Sequence, residues 1–191
     1  MDKPYIAVLA AGRGTRFGGG KLEAMCAGKR LGRWSLDAVE GAGLEPGTIV
    51  TGPEGVTFAG SWTVLVNPAP EAGLGSSLAL AASDALEAGA RSMLVLLADM
   101  PLVAAAYLRR LALARAPAAT RHPDGHGGVP GLLDRALMRR AARLSGDRGA
   151  GPLLTGATLF DPPAGMLRDI DTREDLASVE RVLREAQDER S

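Results

Sequence analysis

The chain has 191 residues, 46% of them hydrophobic and 23% charged, with a formal net charge of +0. That balance fits one compact domain over residues 1–191 and excludes a disordered chain, and it lacks the basic excess expected of a protein that binds nucleic acid or an anionic membrane. Cys26 is the single cysteine, which excludes an internal disulfide framework and a multi-cysteine zinc site; with no signal-like N-terminus and no run near the roughly 18 apolar residues of a membrane span, the expected location is the cytoplasm.

In chain order, apolar runs at Ile6–Ala10, Thr48–Thr51, Trp62–Val66 and Met93–Ala98 have the length and composition of buried parallel strands. Helical periodicity occupies Arg33–Ala42, Leu74–Gly89, Ala104–Ala114, Leu132–Leu144 and Arg173–Gln187. Gly41 and Gly43 stop the first helix, Gly89 stops the second, and Thr172 is placed to cap the last, with Glu174 and Asp175 in its first turn. The alternation of strands and helices predicts an α/β sandwich. Residues 117–130 read as one strand followed by a loop punctuated by Pro123, Gly125 and Gly127, and the charged tail from Arg184 to Ser191 is expected to fray.

The first strand runs into LAAGRGTRFGGGK, residues 9–21, where glycines, arginines and one of only three lysines crowd a strand-to-helix loop. Such a loop lets backbone N–H groups approach a polyphosphate, and the following helix start adds a favourable dipole. A Walker A register ending at Gly20-Lys21 fails, because Thr15 stands where its first glycine belongs and Leu22 where its magnesium-binding hydroxyl belongs. A dinucleotide fingerprint fails as well, since Gly12-Arg13-Gly14 is followed by three residues before Gly18. The loop does fit L-A-A-G-x-G-x-R-x-G-x-x-K at every named position. Arg16 can fork across phosphate oxygens and Lys21 can add a point charge, unless both are merely solvated loop charges.

This pattern resembles the MobA-like nucleoside-triphosphate transferases, the family of the molybdenum-cofactor cytidylyl- and guanylyltransferases. The resemblance continues in order through N-P-x-x-x-x-G-x-x-S-S-L from Asn67, A-D-M-P around Asp99, G-x-P ending at Pro130, G-D-x-G-A from Gly146 and D-I-D-T ending at Thr172. It implies a mainly parallel, three-layer α/β/α sheet of Rossmann-like type and transfer of a nucleotidyl group from an NTP to a phosphorylated acceptor. It also implies site residues. Arg16, Lys21 and Asp99 would be catalytic; Leu9, Ala10, Ala11, Gly12, Gly14, Asn67, Gly73, Ser76 and Ser77 would join Arg16 and Lys21 around the nucleotide; and Asp99 and Asp171 would hold Mg²⁺ or Mn²⁺. Pro130, Asp147 and Arg148 would face the acceptor.

Each motif has a plainer alternative. An aspartate before Met100-Pro101 also suits a turn or helix cap, and Ser76 and Ser77 also suit helix capping, while Gly73 and Gly75 would let the chain come close to the nucleotide. His122 and His126 lack metal-type spacing and read as exposed loop residues, while Cys26 reads as a buried structural thiol. Ala10-Ala11-Gly12 resembles cytidylyltransferase members, whereas guanylyltransferases tend towards L-A-G-G, so the resemblance favours CTP and a molybdopterin-type acceptor, with the product passed on to a molybdoenzyme or its chaperone. Three departures stand out: Gly151 replaces the family arginine, Arg30 replaces a proline, and Glu23 stands where apolar residues are usual. Alternatives are a guanylyltransferase, a sugar- or alditol-phosphate nucleotidyltransferase, and a nucleotide-binding module that has lost transfer.

Overall fold

The computed structural model describes residues 3–12, 14 and 17–188. In chain order they form β1 (Tyr5–Ala10), β2 (Met25–Cys26), β3 (Lys29–Arg30), α1 (Leu31–Gly41), β4 (Thr48–Thr51), β5 (Thr63–Val66), α2 (Leu74–Glu87), β6 (Ser92–Leu97), α3 (Ala105–Ala112), β7 (Ala118–Arg121), β8 (Gly127–Asp134), α4 (Arg135–Ala141), β9 (Thr158–Phe160) and α5 (Arg173–Asp188). Seven strands make one sheet in the order β5-β4-β1-β6-β8-β7-β9, and β2 and β3 make a separate hairpin. Within the large sheet β8 alone runs antiparallel to its neighbours.

The layers follow from the two-residue period of β1. Ile6, Val8 and Ala10 face a core shared with Leu36 and Val39 of α1 and Leu108 and Leu111 of α3. Ala7 and Leu9 face the opposite core, with Leu78 and Ala82 of α2 and Met138 of α4. The mainly parallel three-layer α/β/α architecture expected from the sequence is therefore present. A third apolar cluster packs α5 through Val179 and Leu183 onto Cys26, Leu31, Phe17 and Ile170. Thr172 and Asp175 cap α5 reciprocally: Asp175 N–H donates to Thr172 Oγ1 at 3.1 Å, and Thr172 N–H donates to the Asp175 carboxylate at 2.8 Å. No helix among the described residues is long and apolar enough to cross a membrane.

Three expectations need correction. The stretch 117–130 is a hairpin of two strands, because Gly127 and Gly128 sit inside β8 where side chains would collide: a Cβ on Gly128 would lie 2.5 Å from His122 Nε2. The helix expected from Leu132 begins only at Arg135, since Leu132 and Leu133 fill opposite cores as the end of β8 and Asp134 caps α4 by accepting from Leu137 N–H at 2.8 Å. The tail expected to fray from Arg184 is helical through Asp188, with Arg184 donating to Glu180 one turn earlier at 2.7 Å.

Leu94 lies fully buried in central β6, so Leu94→Ala is expected to cost roughly 2–5 kcal/mol, measured by urea denaturation. Burial, helped by the Glu180 carboxylate, pushes the Cys26 thiol from its ordinary 9.0 to about 11. An acid whose folded pKa is raised loses stability as the unfolded chain ionises first, so the urea midpoint is expected to fall between about pH 9 and 11. At pH 8, alkylation of Cys26 is expected only at the rate of unfolding, which labelling with and without denaturant measures.

Candidate functional site

The strand order reverses beside β1: the chain moves outward through β4 and β5, then returns to place β6 on the other side. In an open α/β sheet such a reversal leaves a crevice at the carboxyl ends of the strands. The loop after β1 and the Asp99 segment after β6 both open into it. Ser35 of α1, fully buried, lies 3.2–3.3 Å from the carbonyls of Leu97, Ala98 and Met100 and so braces the backbone around Asp99.

Gly18, Gly19 and Gly20 all have positive φ, and this left-handed run delivers Lys21 to the start of a short 3-10 turn over Lys21–Glu23. Lys21 is only 8% exposed. Its ammonium donates to Asp99 Oδ2 at 2.8 Å and lies 3.6 Å from Asp171 Oδ1, just ahead of α5. Gly14 turns with φ 55, and a Cβ there would come 3.1 Å from the Lys21 Cβ, so the glycine leaves room for the lysine stem. Arg16, with Arg13 and Thr15, lies outside the described residues.

The second Asp99 oxygen, Oδ1, is buried and has no hydrogen-bond partner among the described residues. An orphaned carboxylate oxygen beside a second carboxylate suits an additional cation. Two carboxylates match the chemistry of Mg²⁺ or Mn²⁺, which fill the rest of an oxygen shell from water and phosphate. Among the described residues no three His, Cys, Asp or Glu side chains form a complete protein cage.

Lys21 of this triad lines one of two cavities. One, of about 710 Å³, is lined by Ala10, Ala11, Gly12 and Gly20–Glu23 on one side and by Gly52–Thr57, Pro68, Pro70 and Glu71 on the other. The second, of about 630 Å³, is mainly apolar and is bounded by Leu9, Leu74, Leu97, the β7–β8 hairpin and residues 149–157. Leu9 and Ala10 thus serve different cavities, and the loop 52–57 is a wall that the sequence did not mark, because its letters offer turns rather than chemistry.

The structure redistributes other expected roles. Asn67 is buried and donates to the hydroxyls of Ser76 at 2.8 Å and Ser77 at 2.9 Å. Ser76 in turn donates to the Gly73 carbonyl at 2.8 Å, so these serines stitch the α2 start to the strand before it, and neither caps the helix. Gly73 and Gly75 do permit a close approach, but the approaching chain is the 145–148 loop: Gly75 N–H donates to the Gly146 carbonyl at 2.9 Å, and a Cβ on Gly73 would fall 2.4 Å from Asp147 Oδ1.

On the expected acceptor side, Asp147 and Arg148 are exposed beside α2, while Pro130 is buried within β8, its carbonyl accepting from the Thr120 hydroxyl at 2.6 Å. His126 is exposed; His122 is half-buried with Nε2 2.9 Å from the Val129 carbonyl, and both border the apolar cavity. The His126 backbone N–H holds the neighbouring Asp124 carboxyl below its usual range. Gly151 lines the same cavity, with only the Gly127 carbonyl, at 3.7 Å, near where a Cβ would stand.

Solved structures share this architecture. A nucleotidyl transferase from Methanothermobacter thermautotrophicus is 25% identical with a TM-score of 0.79, over 95% of this chain and 98% of that one. Rv0371c from Mycobacterium tuberculosis H37Rv, in complex with manganese, is 24% identical with a TM-score of 0.76, over 94% of this chain and 99% of that one. The 2-C-methyl-D-erythritol 4-phosphate cytidylyltransferase of Thermus thermophilus is 19% identical with a TM-score of 0.70, over 96% of this chain and 100% of that one. A comparison with curated proteins found no match. The sequence model of the MobA-like NTP transferase domain matches residues 6–162, from β1 past β9 and through the Lys21 and Asp99 segments, and the chain belongs to that family.

Proposed function

We propose that this nucleotidyltransferase moves CMP from CTP to the terminal phosphate of a molybdopterin-type acceptor and releases pyrophosphate. The observation that carries the reading is the Lys21–Asp99–Asp171 cluster at the carboxyl ends of the strands, with Lys21 lining the cavity under the glycine loop. A polar cavity under the glycine loop suits a nucleoside triphosphate, and an apolar one of about 630 Å³ suits the organic body of an acceptor. Cytidine is favoured by Ala10-Ala11-Gly12, which matches the cytidylyl branch of the family.

In this reading an acceptor phosphate oxygen attacks the α-phosphorus, a new phosphoanhydride bond forms, the bond to the β-phosphate oxygen breaks, and pyrophosphate leaves with the electron pair. Lys21 and Arg16 hold the triphosphate and take up the charge that collects on the leaving group. Backbone N–H groups around Gly12 and Gly14 approach the phosphates without side chains in the way. Asp99 and Asp171 would hold Mg²⁺ or Mn²⁺, whose charge when bound offsets that of the α-phosphate. The manganese complex of Rv0371c supports a divalent ion in this fold. No protein nucleophile takes part.

Pyrophosphate release with Mg²⁺ and molybdopterin, measured against CTP, GTP, ATP and UTP, is expected to be CTP-selective. Asp99→Asn and Lys21→Ala are each expected to lower it by about 10²-fold or more. Release with GTP alone moves the assignment to guanylyl transfer. Nucleotide binding by the folded protein with no release from any NTP overturns the acceptor and points to a binding module.

A further inference from the structure

Two of the departures from the family pattern, Glu23 and Arg30, meet at one place. Glu23 closes the 3-10 turn begun by Lys21, and its carboxylate reaches across the polar cavity to Thr57. Thr57 N–H donates to Oε1 at 2.7 Å and the Thr57 hydroxyl donates to Oε2 at 2.5 Å. Arg30 of β3 holds Glu23 from behind, donating from Nη1 to the Glu23 carbonyl at 2.6 Å, with Nε 3.5 Å from Oε2.

Thr57 ends the irregular loop from Gly52, which forms the far wall of that cavity. Among the described residues the loop's other hydrogen bond is its own turn, from Gly55 N–H to the Gly52 carbonyl at 3.0 Å. Glu23 therefore ties the wall that carries Lys21 to the wall that does not. Its charge is met by Arg30 and two donors, so a carboxylate can stand beside an anion site without opposing the phosphates.

The far wall has the chemistry of a nucleobase seat. Pro53, Val56, Pro68 and Pro70 give flat apolar surfaces for a ring, and the exposed carboxylates of Glu54 and Glu71 repel phosphate while accepting from exocyclic amino groups. We propose that Glu23, braced by Arg30 and gripping Thr57, is a positioning residue that sets the width of the nucleobase end of the cavity and thereby the choice among NTPs. The inference rests on the reading that an NTP occupies this cavity.

Equilibrium binding of CTP, GTP, ATP, UTP and inorganic tripolyphosphate, without acceptor, separates the two. Glu23→Ala is expected to weaken the preferred NTP by roughly tenfold and to shrink the spread among bases, while tripolyphosphate stays within about twofold. Thr57→Val, which keeps size and removes the hydroxyl, is expected to move base selectivity in the same direction by less. Glu23→Gln retains one acceptor but turns an amide donor towards Arg30, and is expected to fall between wild type and Glu23→Ala. Equal weakening of every NTP and of tripolyphosphate overturns the proposal and leaves the nucleotide reading standing, as does an unchanged base spread in both Glu23→Ala and Thr57→Val. Failure of the wild-type protein to bind any NTP overturns both.

Discussion

The ammonium of Lys21 between Asp99 and Asp171 is the contact on which the carboxyl edge of the sheet depends. Two carboxylates cannot approach one another in a partly buried crevice without positive charge between them. The lysine comes from the loop after β1, one aspartate from the end of β6 and the other from the approach to α5, so the ion triad joins three segments that share no strand pairing there. Each member is placed by something apolar or by a backbone constraint. Left-handed glycines aim Lys21, the buried Ser35 braces the backbone at Asp99, and the cluster of Phe17, Ile170, Leu31 and Val179 brings the loop, the β2–β3 hairpin and α5 together beside Asp171. The apolar cluster carries the cost of assembling the charges.

The same alternation that builds two cores also separates two cavities. Leu9 and Ala10 are consecutive residues of one strand and point to opposite sides, and past the end of the sheet those sides become the apolar and polar chambers. Lys21 lines the chamber on the Ala10 side, while Leu9 and Leu97 line the apolar one.

Much of the fold was legible because β1, β4 and β6 are short, mainly apolar runs alternating with helices, and the loop after β1 carries letters at a fixed spacing. Lys21, Asp99 and Asp171 were each visible in sequence; that the lysine pairs with both aspartates was not, since pairing depends on where chain ends converge. The β7–β8 hairpin was hidden because glycine has two uses. Gly127 reads as turn punctuation, yet it and Gly128 lie in a strand, where they make room for Leu159 and His122. Gly73 and Gly75 were expected to let the chain come close to a nucleotide, whereas it is the loop at 145–148 that packs against them. The serines of α2 were ambiguous for a similar reason: a hydroxyl can cap, contact a ligand or accept from a distant amide, and both accept from Asn67.

Departures from a pattern carry information when the structure shows that they belong together. Glu23 alone would set an unpaired carboxylate next to a loop built to receive phosphate, and Arg30 alone would lose the backbone rigidity of a proline without gaining a partner. Together they form a hydrogen bond and an ion pair, and Thr57 uses the carboxylate oxygens that Arg30 has helped to neutralise. The charge of the site is unchanged while one wall gains a fixed anchor on the other. Gly151 differs in kind, since it lines the apolar cavity without a side chain. The two chambers have thus diverged from the family pattern by opposite means, one by added restraint and the other by a removed side chain.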